Sequence, residues 1–419
     1  MSRLPTLGSF ALVTLFAATG CEGGNAVDIE QRIAALGGMG GFAGVGGGGL
    51  ACPNGGGGGG STLPNDVDVR GFTASGAVHT AVFPTPNDDT NSKATGTPLA
   101  NWADLGGHLM PHASPWGYRR PNGADVIVYV DMDGHVHERG ISGSPDVDFN
   151  LTSGINAPIA ASAPANGSGP VPDVIGYVRS DQRAAVVYRS STDHVIELKA
   201  TGNTTWQVTD LTVASGTGFT ATRGSAFPYV RSDGRNAIVY IGSNNHIREL
   251  SSSGSAWVDR DLSVAAGAAT TAPGSEPWGY RRSDGFNAVL FVSSDSQLHE
   301  FKLFQGSSTW SDFTLPAMSP YPSLFTRPSG YVGSGGKNSV AYISGSPGSH
   351  TLRHMTLGIG SWDHDSLPPT CTNWISQPFG HSAPGDRSSI LFSTRSSFGI
   401  VTHYELSSAG TSSWTLATF

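Results

Sequence analysis

The sequence predicts an all-β chain, a seven-bladed β-propeller of four-stranded antiparallel blades. Three observations lead there. Residues 227–263 read as four short strands joined by polar turns. That pattern recurs about every 50 residues, within the period expected of propeller blades. The composition is 38% hydrophobic and only 13% charged, with 57 glycines for turns, and no segment carries long helical periodicity.

In the reference repeat the first strand is Tyr229-Val230-Arg231, closed by the turn Ser232-Asp233-Gly234. Residues 236–241 are a β-rich second strand, and Ser243-Asn244-Asn245 turns the chain again. Residues 246–250 and 257–262 complete the unit. Such a sheet cannot bury both faces alone and needs copies on either side.

The copies begin at Trp116-Gly117-Tyr118, Gly176-Tyr177 and Trp278-Gly279-Tyr280, with looser versions around Tyr331 and His381. In the fourth strand Trp206, Trp257, Trp310, Trp362 and Trp414 recur. A partial copy precedes them, with alternation over 67–70 and 77–82 and Trp102-Ala103-Asp104-Leu105 matching the fourth strand. Six recognisable copies and this one give the expected seven blades. Pairing of the two chain ends would close the ring and remove its sheet edges.

Residues 1–21 read as a lipoprotein signal peptide. Arg3 is the only charge, residues 10–18 are an apolar core too short to span a bilayer, and Ala18-Thr19-Gly20-Cys21 resembles a bacterial lipobox. Cys21 is then the lipidated N-terminus of an exported outer-membrane or cell-surface lipoprotein. The alternative is a plain secreted protein. Residues 22–65 form a Gly-rich flexible tether, with a short amphipathic turn at 25–36, and the propeller spans 66–419. Cys52 and Cys371 remain, and export permits a disulfide without requiring one.

The formal charge is −8, with no run of Lys or Arg. Nucleic acid is therefore not an expected partner. Membrane contact is expected through the lipid alone. No HExxH and no cysteine pair with zinc spacing occurs, so no metal or other cofactor is expected. His135, His194 and His246 hold one position in successive repeats and read as strand-start histidines bonded to turn carbonyls. A hydrolase needs carboxylates converging on one site. Here Glu138, Glu197, Glu249, Glu300 and Glu405 are dispersed one per blade, as are Asp104, Asp210, Asp261, Asp312 and Asp365. No Gly-x-Ser-x-Gly elbow occurs, and a non-enzymatic protein is expected.

What does repeat is chemistry suited to sugars. Aromatic rings stack on the CH face of a pyranose, while charged groups orient its hydroxyls. The candidate carbohydrate-binding residues are Trp116, Arg119, Glu138, Arg179, Glu197, Arg231, Glu249, Trp278, Arg281 and Glu300. Trp116 and Trp278 follow a proline at a blade connection and are expected to be exposed. Repeated Tyr and Trp also serve interblade packing, and a repeated Arg–Glu pair also fixes blade register. The residue types leave both roles open.

The repeat GYxRxDGxNAxVY…HIxEL…W…DL resembles that of bacterial β-propeller lectins of the Photorhabdus lectin type. It is more distantly similar to fungal fucose-binding propeller lectins, whose blades carry a motif like Ile247-Arg248-Glu249. The resemblance covers about 66–419. It implies a lectin with sugar sites between adjacent blades and glycan partners such as fucose-like or O-methylated sugars. Asn236, Asn287 and Asn338 stand where the fungal pattern has Arg, and His354 replaces Glu in the penultimate copy. The alternative is a protein-interaction scaffold of the same fold without sugar binding.

Overall fold

The computed structural model describes residues 70–74, 78–84, 89–94, 103–110, 113–142, 148–162, 173–254, 256–268, 276–316, 322–323, 327–345, 350–365, 367, 376–383, 386–395, 401–408 and 414–418. Cys21, Cys52, Cys371, the signal segment and the glycine tether lie outside them.

The described chain is all-β apart from single helical turns. An N-terminal sheet holds β1 (Arg70–Ala74), β2 (Val78–Pro84), β3 (Asp89–Ala94) and β4 (Ala103–His108). Blade I holds β5 (Trp116–Arg119), β6 (Asp125–Val130), β7 (Val136–Ser142) and β8 (Asp148–Asn150). Blade II holds β9 (Ile175–Val178), β10 (Ala184–Arg189), β11 (Val195–Ala200) and β12 (Trp206–Asp210), followed by the helical turn α1 (Leu211–Ala214). Blade III holds β13 (Ala221–Val230), β14 (Asn236–Gly242), β15 (Ile247–Ser252) and β16 (Trp257–Asp261), followed by α2 (Leu262–Ala265). Blade IV holds β17 (Trp278–Arg281), β18 (Phe286–Val292), β19 (Leu298–Phe304) and β20 (Ser311–Thr314). Blade V holds β21 (Ser329–Val332), β22 (Asn338–Ser344), β23 (Thr351–Leu357) and β24 (Trp362–His364). Blade VI holds β25 (Phe379–Ala383), β26 (Arg387–Arg395), β27 (Val401–Ser408) and β28 (Thr415–Thr418).

The expectation of seven blades is corrected to six: β5–β28 make six antiparallel four-stranded blades on the repeat, and β1–β4 make a further four-stranded sheet outside it. The strand β1, Arg-Gly-Phe-Thr-Ala, lacks the Gly-Tyr-x-Arg sequence that ties one blade to the next, and the β3–β4 pairing is broken by register shifts around Thr90. Its inner strand lies beside β5 and β25, between the first blade and the last. The expected pairing of the chain ends is also corrected. Each sheet is built from four consecutive strands, so the ring is joined by face packing and not by a shared strand.

Blade faces are buried on both sides, which is why β6 and β10 are buried at every position and show no alternation. The recurring aspartate after the fourth strand has a local role. Asp210 and Asp261 cap α1 and α2 by accepting from the Val213 and Val264 amides. The same carboxylates reach His194 Nδ1 at 2.6 Å and His246 Nδ1 at 2.8 Å, and His135 Nδ1 lies 2.9 Å from Thr152 Oγ1. The strand-start histidines are thus held by side chains at or just beyond the end of the fourth strand, not by turn carbonyls.

Candidate functional site

Four of the five junctions between consecutive blades use one repeated construction, the exception being blades II and III, where Pro228 stands at the glycine position. The first-strand tyrosine of a blade lies flat against the first-strand glycine of the next. A Cβ at Gly176 would sit 2.2 Å from the Tyr118 ring, at Gly279 2.5 Å from Tyr229, at Gly330 2.5 Å from Tyr280, and at Gly380 2.2 Å from Tyr331. A side chain there cannot coexist with the ring, which is why the sequence repeats Gly-Tyr.

Each tyrosine hydroxyl then donates back to the third strand of its own blade. Tyr118 donates to Glu138, Tyr177 to Glu197 and Tyr229 to Glu249, each at 2.7 Å, and Tyr280 to Glu300 at 3.2 Å. An arginine completes each set. Arg120 Nη2 lies 2.7 Å from Glu138, Arg231 Nη1 2.9 Å from Glu249 and Arg282 Nη1 2.7 Å from Glu300, and Arg179 pairs with Glu197. Asp181, Asp233 and Asp284 hold the far side of Arg179, Arg231 and Arg282. Burial raises the Glu138, Glu249 and Glu300 carboxyls above their ordinary range even though the guanidinium and the tyrosine hydroxyl pull them down. Between blades V and VI the same place is taken by His354, with Tyr331 Oη 2.9 Å from Nε2 and Asp365 Oδ2 2.7 Å from Nδ1.

The expected site residues therefore separate into three groups. Glu138, Glu197, Glu249 and Glu300 sit with Arg179 and Arg231 in buried sets, as the repeat suggested. Arg119 and Arg281 do not join them. They lie one residue too early, on the opposite face of the strand, where both are exposed, and the partners of Glu138 and Glu300 are Arg120 and Arg282.

Trp116 and Trp278 are the third group, and their expected exposure is corrected: they are only 8% and 5% exposed. Both converge with Phe227 and Phe379 where the first strands meet. Trp116 is 5.2 Å from Phe379 and 5.8 Å from Phe227, and Trp278 is 4.0 Å from Phe227 and 5.7 Å from Phe379, centroid to centroid. The Trp278 indole donates to the Gly330 carbonyl at 2.7 Å. Beside these rings Arg327, 2% exposed, bridges Asp173 at 2.7 Å and Glu276 at 2.8 Å. The first-strand aromatics fill the centre of the ring and offer no stacking face to a ligand.

The asparagines found where the fungal pattern has Arg are interblade latches. Asn236, Asn287 and Asn338 accept through Oδ1 from the Ser180, Ser232 and Ser283 amides of the preceding blade, at 2.8, 2.6 and 2.8 Å.

The outer part of four of the clefts is closed by the fourth-strand tryptophan of the following blade. The Arg120 guanidinium lies 5.0 Å from the Trp206 ring, Arg179 5.9 Å from Trp257 and Arg282 5.6 Å from Trp362. His354 meets Trp414 at 4.7 Å. Trp257 and Trp310 are buried, whereas Trp206, Trp362 and Trp414 are half-buried and show part of the ring to solvent. Trp206 and Trp362 are the functional candidates that sequence reasoning passed over. Their recurrence was visible, but only the cleft geometry separates a half-open indole from a buried one.

Neither a protein-family model nor a curated protein matches the chain. Among solved structures, the chain is similar to the BP39L lectin from Burkholderia pseudomallei, with 11% identity, 85% of this chain and 100% of that chain covered, and a TM-score of 0.60. It also resembles AofleA from Arthrobotrys oligospora, with 14% identity, 73% and 85% covered, and a TM-score of 0.48. A third likeness is the Aleuria aurantia lectin, with 15% identity, 73% and 94% covered, and a TM-score of 0.44. At such identities the likeness is one of fold, and this chain shares its fold with the Burkholderia lectin.

Proposed function

We propose that the propeller is a non-enzymatic carbohydrate-binding domain whose ligands meet the outer mouths of the clefts between blades. The observation that carries this reading is the half-open indole backed by a guanidinium, Arg120 with Trp206 and Arg282 with Trp362. A flat ring, open on part of its surface and rigidly held from behind, suits the apolar face of a sugar. The buried Tyr–Arg–Glu sets behind it keep that ring in place. The fold shared with the Burkholderia lectin supports the same reading. Fucose-like or O-methylated sugars are proposed as ligands on the sequence resemblance. Surface anchoring through a lipid on Cys21 is a separate proposal, resting on the lipobox-like Ala18-Thr19-Gly20-Cys21. Metabolic labelling with a palmitate analogue should mark the wild type and spare Cys21→Ser, and equal labelling would remove the anchor.

Trp206→Ala and Trp362→Ala test the cleft sites. Each should weaken binding of a monovalent sugar by about 1–2 kcal/mol at its own cleft. Calorimetric titration should show the matching loss in stoichiometry while thermal melts stay close to wild type. Unchanged titrations in both variants would move binding away from these rings.

A further inference from the structure

The cleft between blades IV and V differs from the others at its outer end. On the face of β19 that carries Glu300, the next two outward positions are Lys302 and Phe304, and Phe286 pairs across from Phe304. Phe313 of β20 lies opposite Glu300. The Lys302 Nζ sits 3.1 Å from the Phe313 ring centroid and 5.6 Å from that of Phe286, and Phe286 meets Phe304 edge-on at 5.0 Å. Phe304 and Phe313 are 53% and 47% exposed, and the Arg282 guanidinium lies between Phe286, at 5.4 Å, and the half-open Trp362 of blade V, at 5.6 Å.

This shelf is out of keeping with an idle surface. Exposed phenylalanines flank a half-buried ammonium, and Lys302 has no ion pair among the described residues. Burial lowers its pKa, Arg282 pushes the same way, and Glu300 and Asp284 oppose them. Both of those carboxylates are already committed to Arg282. The equivalents in other blades do not repeat the arrangement. Lys199 of blade II has Thr209 opposite its Glu197, and Phe149 of blade I has Gly140 at the lysine position. A cation lacking a counter-charge, set among exposed rings, fits an anion carried on a ring-shaped ligand.

We infer that the mouth of the blade IV–V cleft is a subsite for an anionic sugar, a uronic acid or a sulfated sugar, whose acid group meets Lys302 and whose ring lies on Phe313. This rests on the carbohydrate-binding reading above and gives its ligand class at one cleft. Carboxylate and sulfate share the chemistry that Lys302 recognises.

The test is calorimetric titration of the full-length protein with a panel of methyl hexuronides, hexose sulfates and matched neutral hexosides, with sodium sulfate as the bare anion. Acidic members should bind more tightly than their neutral counterparts, and the advantage should shrink as salt is raised. Lys302→Gln should cost the acidic members about tenfold in affinity and leave neutral ones within about twofold. Phe313→Ala should weaken sugar acids but not sodium sulfate. Acidic and neutral members binding alike, or Lys302→Gln weakening both equally, overturns the inference while leaving sugar binding in place. Sodium sulfate matching the hexose sulfates overturns the ring contact. If no glycan of any class binds, the carbohydrate-binding reading itself fails. Melts of both variants that match wild type exclude misfolding as the cause.

Discussion

A single hydrogen in place of a methyl decides how closely two blades approach. Gly279 lies under Tyr229, so Gly279→Ala forces the ring or the strand to move, and overpacking of this kind costs about 1–3 kcal/mol. A thermal melt of the variant should fall accordingly, and an unchanged melt would show that the ring is not confined. The ion pair beneath is testable in the same way. Glu249→Gln leaves the buried Arg231 with only the more exposed Asp233 as its counter-charge and should cost about 3 kcal/mol, whereas replacing Glu249 and Arg231 together by apolar residues of similar volume should cost far less. Burial holds the Glu249 carboxyl above its usual value despite Arg231 and Tyr229. The folded chain therefore keeps that proton more tightly than the unfolded one. The stability this group adds is fully present below its ordinary value of 4.5 and is lost as pH rises through the higher folded value. The sequence displayed the Gly-Tyr, Arg and Glu repeats in register but not which arginine of a pair belongs to the set. Arg119 and Arg120 differ by one position, and one position is a whole face of a strand.

Among the elements, the third strand of blade V departs from its relatives by using His354. Burial lowers its pKa below 6.5, with His364 acting the same way and Asp365 opposing. The folded state thus holds this proton less tightly than the unfolded state. Its contribution is present above pH 6.5 and lost as pH falls through the folded value. His137, raised by Asp148 and Asp131 against desolvation, slopes the other way: its contribution is present below 6.5 and lost as pH rises through its folded value. The difference between wild type and His354→Gln isolates the first of these. Denaturant melts between about pH 7 and pH 5 should show the gap between the two proteins narrowing as the pH drops. A constant gap would mean that His354 is not buried neutral. Most strands were legible, because turn dipeptides and β-branched runs are local signals. The convergence of Trp116, Phe227, Trp278 and Phe379 was not, since residues far apart in sequence meet only when the first strands gather around one centre. The N-terminal sheet was visible as alternation, and its departure from the repeat as a missing Gly-Tyr-x-Arg strand, but its place beside β5 and β25 lies in tertiary contacts that alternation does not encode.

At the scale of the whole propeller, no sheet combines strands from the two ends of the described chain, so closure depends on β1 packing beside β5 and β25. Deleting residues 1–65 should leave the melting temperature of the propeller unchanged. Deleting residues 1–108 removes the N-terminal sheet and exposes the faces of blades I and VI, and it should lower the melting temperature or abolish folding. Equal melts for the two deletions would show that the ring does not need that sheet. The clefts that this closure holds in register are the proposed sugar sites, and a glycan array probed with the full-length protein tests them most directly. The expected result is retention of a defined set of glycans, competed away by free monosaccharide and lost in the Trp206→Ala/Trp362→Ala double variant at unchanged melting temperature. Failure of the folded wild-type protein to retain any glycan, or full retention by the double variant, would contradict it.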